Sequence, residues 1–275
     1  MNWRKWSYYG LLAAFVFVFL FSAGRLAAYF WDAQQSQEQL QEVKKLYRAT
    51  PQNNPPIKTV FKPETQESEQ KIAPPLPATV SVPESHPDKA VIQERFNPLL
   101  KVNDDVIGWV RIEDTVIDYP VVQSDDNEYY LLRDLHKKEN VNGSIFMDYR
   151  NRIEQPAAHW ILYGHNMKNK TMFMALLNYE SRWYFDNHSI IQFDTLYDDK
   201  KWQVFSAYFT DTNDDYLRTD FHDDGDFLTF IQDLQGKSLH RTDTELSAND
   251  TILTLSTCSN SNDDARFVVH AKLIE

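Results

Sequence analysis

The 275 residues carry 28 Lys and Arg against 40 Asp and Glu, a formal net charge of −12, and the first 88 of them are nearly balanced at 9 basic to 8 acidic side chains. The remainder, with 19 basic and 32 acidic side chains, is therefore the acidic part, which argues against a nucleic-acid partner because phosphates need a basic face. A single cysteine excludes an internal disulfide, and only seven glycines leave no phosphate-cradling loop.

Arg4 and Lys5 precede an almost unbroken apolar run from Tyr8 to Ala23, which extends through Leu26 to Trp31 if Arg25 snorkels. Roughly 20 residues suffice to cross a hydrocarbon core of about 30 Å. Residues 8–31 are accordingly expected to span a membrane, with 1–7 as a cytoplasmic tail, since positive charges before a span stay inside. A cleaved signal peptide competes with this reading, because Ser22-Ala23-Gly24 is small enough to be cut. The length, the aromatic cluster Tyr29-Phe30-Trp31 and the lack of an A-x-A pattern favour an uncleaved anchor.

Beyond the span, Gln34 to Arg48 is rich in Gln, Glu, Lys and Leu and predicts a short exposed helix without a strong apolar face. Nine of the twelve prolines then fall between Pro51 and Pro87, among Glu, Gln, Ser and Thr. Proline fixes φ and lacks an N–H, so residues 32–88 are expected to form an extended extracellular stem.

Residues 89–275 suit one domain with a sizeable core. A helix is predicted at about Lys89 to Leu100, followed by strands near Ile107 to Ile112 and Ile117 to Val122, then a helical turn at Asn127 to Leu131. Strands near Ser144 to Met147 and His159 to Gly164 come next, with helix at Thr171 to Leu177 and strands at Ser189 to Asp194 and Lys201 to Thr210. Asp211, Asp214, Asp215, Asp220, Asp223, Asp224 and Asp226 lack the alternation and terminal Glu of a calcium loop and read as a solvated acidic segment. No metal or cofactor is expected. A helix at Phe227 to Leu234 and two final strands, Thr251 to Leu255 and Phe267 to Ile274, complete the chain. Many short strands with few helices indicate a mainly β fold, a closed or nearly closed β-barrel with peripheral helices.

The lone thiol, Cys258, leaves one of those final strands, and Arg266 stands at the start of the other, eight positions on. Across a short loop the two could face one pocket, where a cation favours the thiolate needed for attack. Cys258 could equally be a small buried hydrophobe and Arg266 a surface charge. Of the eight histidines, His165 is best placed as a base: it follows Gly164 at the end of an apolar strand. His270 reads as a packing or surface residue, and His86, His136, His159, His188, His222 and His240 have no partner motif.

Thr254-Leu255-Ser256-Thr257-Cys258 with the downstream Arg266-Phe267-Val268-Val269-His270, the upstream Tyr163-Gly164-His165-Asn166-Met167, and the block Gly143 to Asn151 together closely resemble the sortases, and within them class B, from about Val91 to Glu275. The resemblance implies an eight-stranded sortase barrel and a cysteine transpeptidase that joins secreted proteins to the cell wall of Gram-positive bacteria. It assigns catalysis to Cys258, His165 and Arg266, and a groove for a C-terminal Asn-Pro-x-Thr-x sorting signal to Asn127, Leu131, Thr212, Tyr216, Leu217 and Ser256. The implied acceptor is an amine of a peptidoglycan precursor (lipid II). A pilin-polymerising enzyme with a lysine acceptor, or a tethered binding module without turnover, are the alternatives.

Overall fold

A computed structural model of the chain describes residues 3–49, 91–211, 213–258 and 265–275. The proline-rich stretch 51–88, Thr212 and the 259–264 loop lie outside the described residues. The N-terminal region is one helix, α1, Trp3–Ala49. Its 21-residue stretch Ser7–Ala27 is long and apolar enough to cross a membrane. The helix then continues onto the globular part. Leu40, Val43 and Tyr47, spaced at helical intervals, turn one face of α1 to the barrel, and Val43 is buried. This differs from the exposed helix expected for Gln34 to Arg48, because the apolar stripe is diluted by Lys44 and Lys45 in the sequence yet continuous in space.

The predicted helix over Lys89 to Leu100 is shorter: a 3-10 turn at Glu94–Phe96 and α2, Asn97–Val102, begun by Pro98, whose missing N–H costs nothing in a first turn. Eight strands follow: β1 Val106–Ile112, β2 Asp118–Val122, β3 Ile145–Met147, β4 His159–His165, β5 Ile190–Thr195, β6 Lys201–Asp211, β7 Ile252–Cys258 and β8 Ala265–Leu273. They close into a barrel in the order β1-β2-β3-β4-β7-β8-β6-β5. Closure removes free sheet edges. Short α3, Arg182–Asn187, sits before β5, and α4, Asp224–Gly236, lies between β6 and β7.

Alternation along the strands fills the lumen with Val110, Leu162, Phe193, Leu253, Leu255 and Val269. The outer faces are also buried over two sectors. Phe96 from the 3-10 turn and Leu99 from α2 cover Trp109, Phe146 and Ile161 in one sector, and beneath α4 lie Phe205, Tyr208, Ile252 and Val268. Helix α4 starts where Asp223 accepts the Asp226 N–H at 2.9 Å, and it buries Phe227, Phe230, Ile231 and Leu234 at about 2 kcal/mol each before chain entropy is counted. The acidic segment is thereby explained in part: Asp223 caps, Asp226 pairs with Arg218 at 2.5 Å, and Asp214 pairs with Lys237 at 2.7 Å.

Candidate active site

β4 and β7 run parallel, although the chain travels through β5, β6 and α4 between them. Their ladder extends from His159 opposite Ile252 to His165 opposite Cys258. Adjacent strands are about 4.8 Å apart, so the two backbones are neighbours at the strands' C-terminal ends. β8 returns antiparallel to β7, with Ser256 opposite Val268 and the Phe267 N–H donating to Thr257 Oγ1 at 2.9 Å. Arg266 is the second residue of β8, at the end of that strand which adjoins the C-terminal end of β7. Position 258 falls on the face of β7 that carries Thr254 and Ser256, and position 266 on the face of β8 that carries Val268 and His270. The three residues chosen from sequence thus converge on one end of three adjacent strands.

His165 is buried, and its Nε2 lies 2.5 Å from the Leu131 carbonyl. A carbonyl only accepts, so Nε2 carries the proton and Nδ1 is the basic nitrogen of the neutral ring. Two glycines make this contact possible. A Cβ on Gly164 would strike Phe173 and Ile145 inside the barrel, and one on Gly143, which has φ +56°, would strike the Leu131 carbonyl itself. Arg266 is half-buried and donates from Nη1 to the Ala265 carbonyl at 3.1 Å.

Of the residues expected to line a peptide groove, Tyr216 and Ser256 meet directly. Tyr216, in the 3-10 turn Asp215–Leu217, is buried, with its hydroxyl 3.1 Å from Ser256 Oγ on β7. Leu131, in the 3-10 turn Tyr129–Leu132, touches the site through its carbonyl. Asn127 is half-buried: Nδ2 donates to Asp148 at 3.1 Å, and Oδ1 accepts the Tyr149 N–H at 3.0 Å. The Leu217 carbonyl accepts from Arg150 at 3.0 Å. Thr212 lies outside the described residues.

Sequence reasoning missed two groups beside these. Asp148 is fully buried and accepts from Arg150 and from the Tyr163 hydroxyl. Burial alone would raise its pKa, but the hydrogen bonds from Arg150 and Tyr163 outweigh it and hold the carboxyl below the ordinary value. Tyr163 stands two residues before His165 on the same strand face, a period-two signal that was available. The second group is a buried polar column under α4. His159 Nδ1 lies 2.6 Å from the Arg218 carbonyl and Nε2 lies 2.6 Å from Thr254 Oγ1, which in turn is 2.7 Å from His270 Nδ1. The carbonyl fixes the order: His159 donates from Nδ1, Thr254 donates to Nε2, and His270 donates to Thr254. Both rings are neutral, since burial pushes His159 down to about 4 and His270 well below its ordinary value.

A family profile for the sortase domain matches residues 110–274. The chain is 39% identical over 186 residues to sortase B of Staphylococcus aureus, covering 67% of this chain and 76% of that protein. It is 35% identical over 185 residues to sortase B of Listeria monocytogenes, covering 66% and 75%. Among solved structures, sortase B from B. anthracis matches with TM-score 0.71 and 32% identity over 90% of this chain and 99% of that one. The S. aureus sortase B–substrate complex matches with TM-score 0.65 and 40% identity over 67% and 87%. With its closed barrel, its sequence and its structural likeness all in agreement, the chain belongs to the sortase family, within class B.

Proposed function

We propose that this chain is a membrane-anchored cysteine transpeptidase that cuts a C-terminal sorting signal of Asn-Pro-x-Thr-x type after Thr and transfers the protein to an amine of a peptidoglycan precursor. The observation that carries this reading is the register of β4 and β7, which sets His165 beside Cys258 with Arg266 on the next strand. The layout proposed is a cytoplasmic tail at 1–7, a membrane span at 8–31, a stem at 32–88 whose helical part up to Ala49 packs on the barrel through Leu40, Val43 and Tyr47, and an outward-facing catalytic domain at 89–275. Positive charge before the span and the length of the apolar stretch support it.

An unperturbed cysteine has a pKa of about 8.5 and a histidine about 6.5, and the reactive state is the thiolate with imidazolium. The Cys258 thiolate adds to the carbonyl after Thr, and the electron pair moves onto oxygen. The Arg266 guanidinium neutralises that oxyanion. Collapse breaks the C–N bond, the His165 imidazolium supplies the proton to the leaving amine, and a thioester remains. Neutral His165 then accepts a proton from the incoming amine, whose nitrogen displaces the thiolate. Asn127, Leu131, Thr212, Tyr216, Leu217 and Ser256 are proposed to hold the signal.

Incubating the full chain in detergent with Asn-Pro-x-Thr-type peptides and candidate amines, with products read by mass spectrometry, tests this. Cys258→Ala should reduce transfer to background, at least about 10³-fold, while the cooperative melt is retained. Undiminished transfer by that variant would remove the assignment.

A further inference from the structure

The buried Asp148 carboxylate ties together chain segments that are far apart in sequence. Its Oδ1 accepts the Arg150 backbone N–H at 3.0 Å and Arg150 Nε at 2.8 Å. Its Oδ2 accepts Arg150 Nη2 at 2.8 Å, the Tyr163 hydroxyl at 2.8 Å and Asn127 Nδ2 at 3.1 Å. The same Arg150 Nη2 reaches on to the Leu217 carbonyl at 3.0 Å. A guanidinium is rigid and presents its donors as a fork, so seating one edge on Asp148 fixes the direction of the donor that meets Leu217.

Each segment joined in this way touches the catalytic end of the barrel. Asn127 leads into the turn whose Leu131 carbonyl holds His165. Tyr163 lies on β4 two residues before His165. Leu217 follows Tyr216, whose hydroxyl meets Ser256 on β7. Asp148 itself is fully enclosed, whereas the Arg150 side chain is 35% exposed, which places the guanidinium at the lip of the arrangement.

We infer that Arg150, seated on Asp148, is a positioning residue that sets the separation of the two walls gripping an extended peptide: the Asn127–Leu131 segment on one side and the Asp215–Leu217 turn on the other. The inference rests on the sorting-signal reading above and deepens it. Arg150 acts on recognition of the residues upstream of the scissile bond. It takes no part in the proton transfers, which belong to His165 and Cys258.

The test uses the full chain in detergent with an Asn-Pro-x-Thr-type peptide and its Ala-Pro-x-Thr-type counterpart, plus iodoacetamide as a small probe of Cys258. Arg150→Ala should raise KM for the Asn peptide about 10-fold with kcat changed less than about 3-fold, and should shrink the preference for Asn over Ala. Alkylation of Cys258 should proceed at the unaltered rate. Arg150→Lys, which keeps the charge on Asp148 but cannot span both acceptors, should fall between the two. If the unaltered protein transfers and Arg150→Ala keeps both its KM and its preference, the clasp is wrong and the sorting reading stands. No transfer of any such peptide by the unaltered protein overturns the sorting reading, and the clasp with it. Loss of the cooperative melt in both variants, or equal loss of kcat and alkylation, would make the pair a core ion pair and overturn the inference.

Discussion

Beneath α1, the polar groups on the barrel's outer face are charged and paired. Asp118 accepts from Trp109 Nε1 at 2.7 Å and Arg48 at 2.6 Å, with Lys44 at 3.2 Å; Arg95 pairs with Asp199 and lies 3.5 Å from Asp194. Beneath α4 the buried groups are neutral: the His159, Thr254 and His270 column, and Ser206 donating to the Leu234 carbonyl at 2.5 Å. The covering helices account for the contrast. α1 brings its own cations, and the Arg48 side chain is 60% exposed, so charge on the barrel is met by charge near water. α4 brings Phe227, Phe230, Ile231 and Leu234, a cover under which an unpaired charge would cost several kcal/mol. β4, β7 and β8, which supply His159, Thr254 and His270, belong to this neutral side.

Acid should break this contrast on the α4 side first, with the largest effect. A histidine whose folded pKa lies below its unfolded value leaves the unfolded state binding more protons as pH falls, so stability is lost between the two values. For His159, at about 4 against an ordinary 6.5, the loss is on the order of 3 kcal/mol, and His270 acts in the same direction. Asp148, whose pKa is depressed, contributes only below the ordinary carboxylate value of 3.8, so the histidine window stands apart. Denaturant unfolding followed from about pH 7 to about pH 4 measures it; a flat profile would show that the column is solvated or charged already.

How much of this was visible beforehand follows the range of the forces involved. The strands were legible because alternation and β-branching are local, and Cys258, His165 and Arg266 stood out because each sits where a strand meets polar residues. Their convergence needed the parallel β4–β7 register, which no local pattern encodes. Arg150 was not singled out within the Gly143 to Asn151 block, because its far partner is the backbone carbonyl of Leu217, and a carbonyl leaves no mark in the sequence. His159 was passed over for the same reason, its partners being the Arg218 carbonyl and Thr254, 95 positions away. α3 was missed because Arg-Trp-Tyr-Phe-Asp-Asn is too short to show a period.

The α1 side should respond instead to truncation of its anchor. Tyr47 stacks on Trp109 with ring centroids 4.3 Å apart, and its hydroxyl donates to Asp194 at 2.9 Å. Burial raises the Asp194 pKa against the pull of Arg95, so loss of that hydroxyl removes a donor from a desolvated carboxyl. Tyr47→Ala should cost about 2 kcal/mol, less than a fully buried aromatic because the ring is half-buried, and Tyr47→Phe about half as much. Amide exchange in the docked half of α1 reports it directly, and equal protection in both variants and the parent would deny Tyr47 its anchoring role.

The smallest effect expected separates the two sides most cleanly, because it concerns salt alone. Arg48→Ala removes an exposed partner of Asp118 while Trp109 Nε1 and Lys44 remain in place, so the carboxylate is not orphaned. A pair with one member 60% exposed contributes less than about 1 kcal/mol, and ionic strength screens it further. The unfolding free energy of the variant should therefore approach that of the parent as salt is raised, whereas the acid-sensitive step on the α4 side, made of buried neutral rings, should hardly move. A deficit in Arg48→Ala that exceeded about 2 kcal/mol, or that persisted at high salt, would mean that Asp118 is held as tightly against water as His159, and the distinction drawn between the two sides would fail.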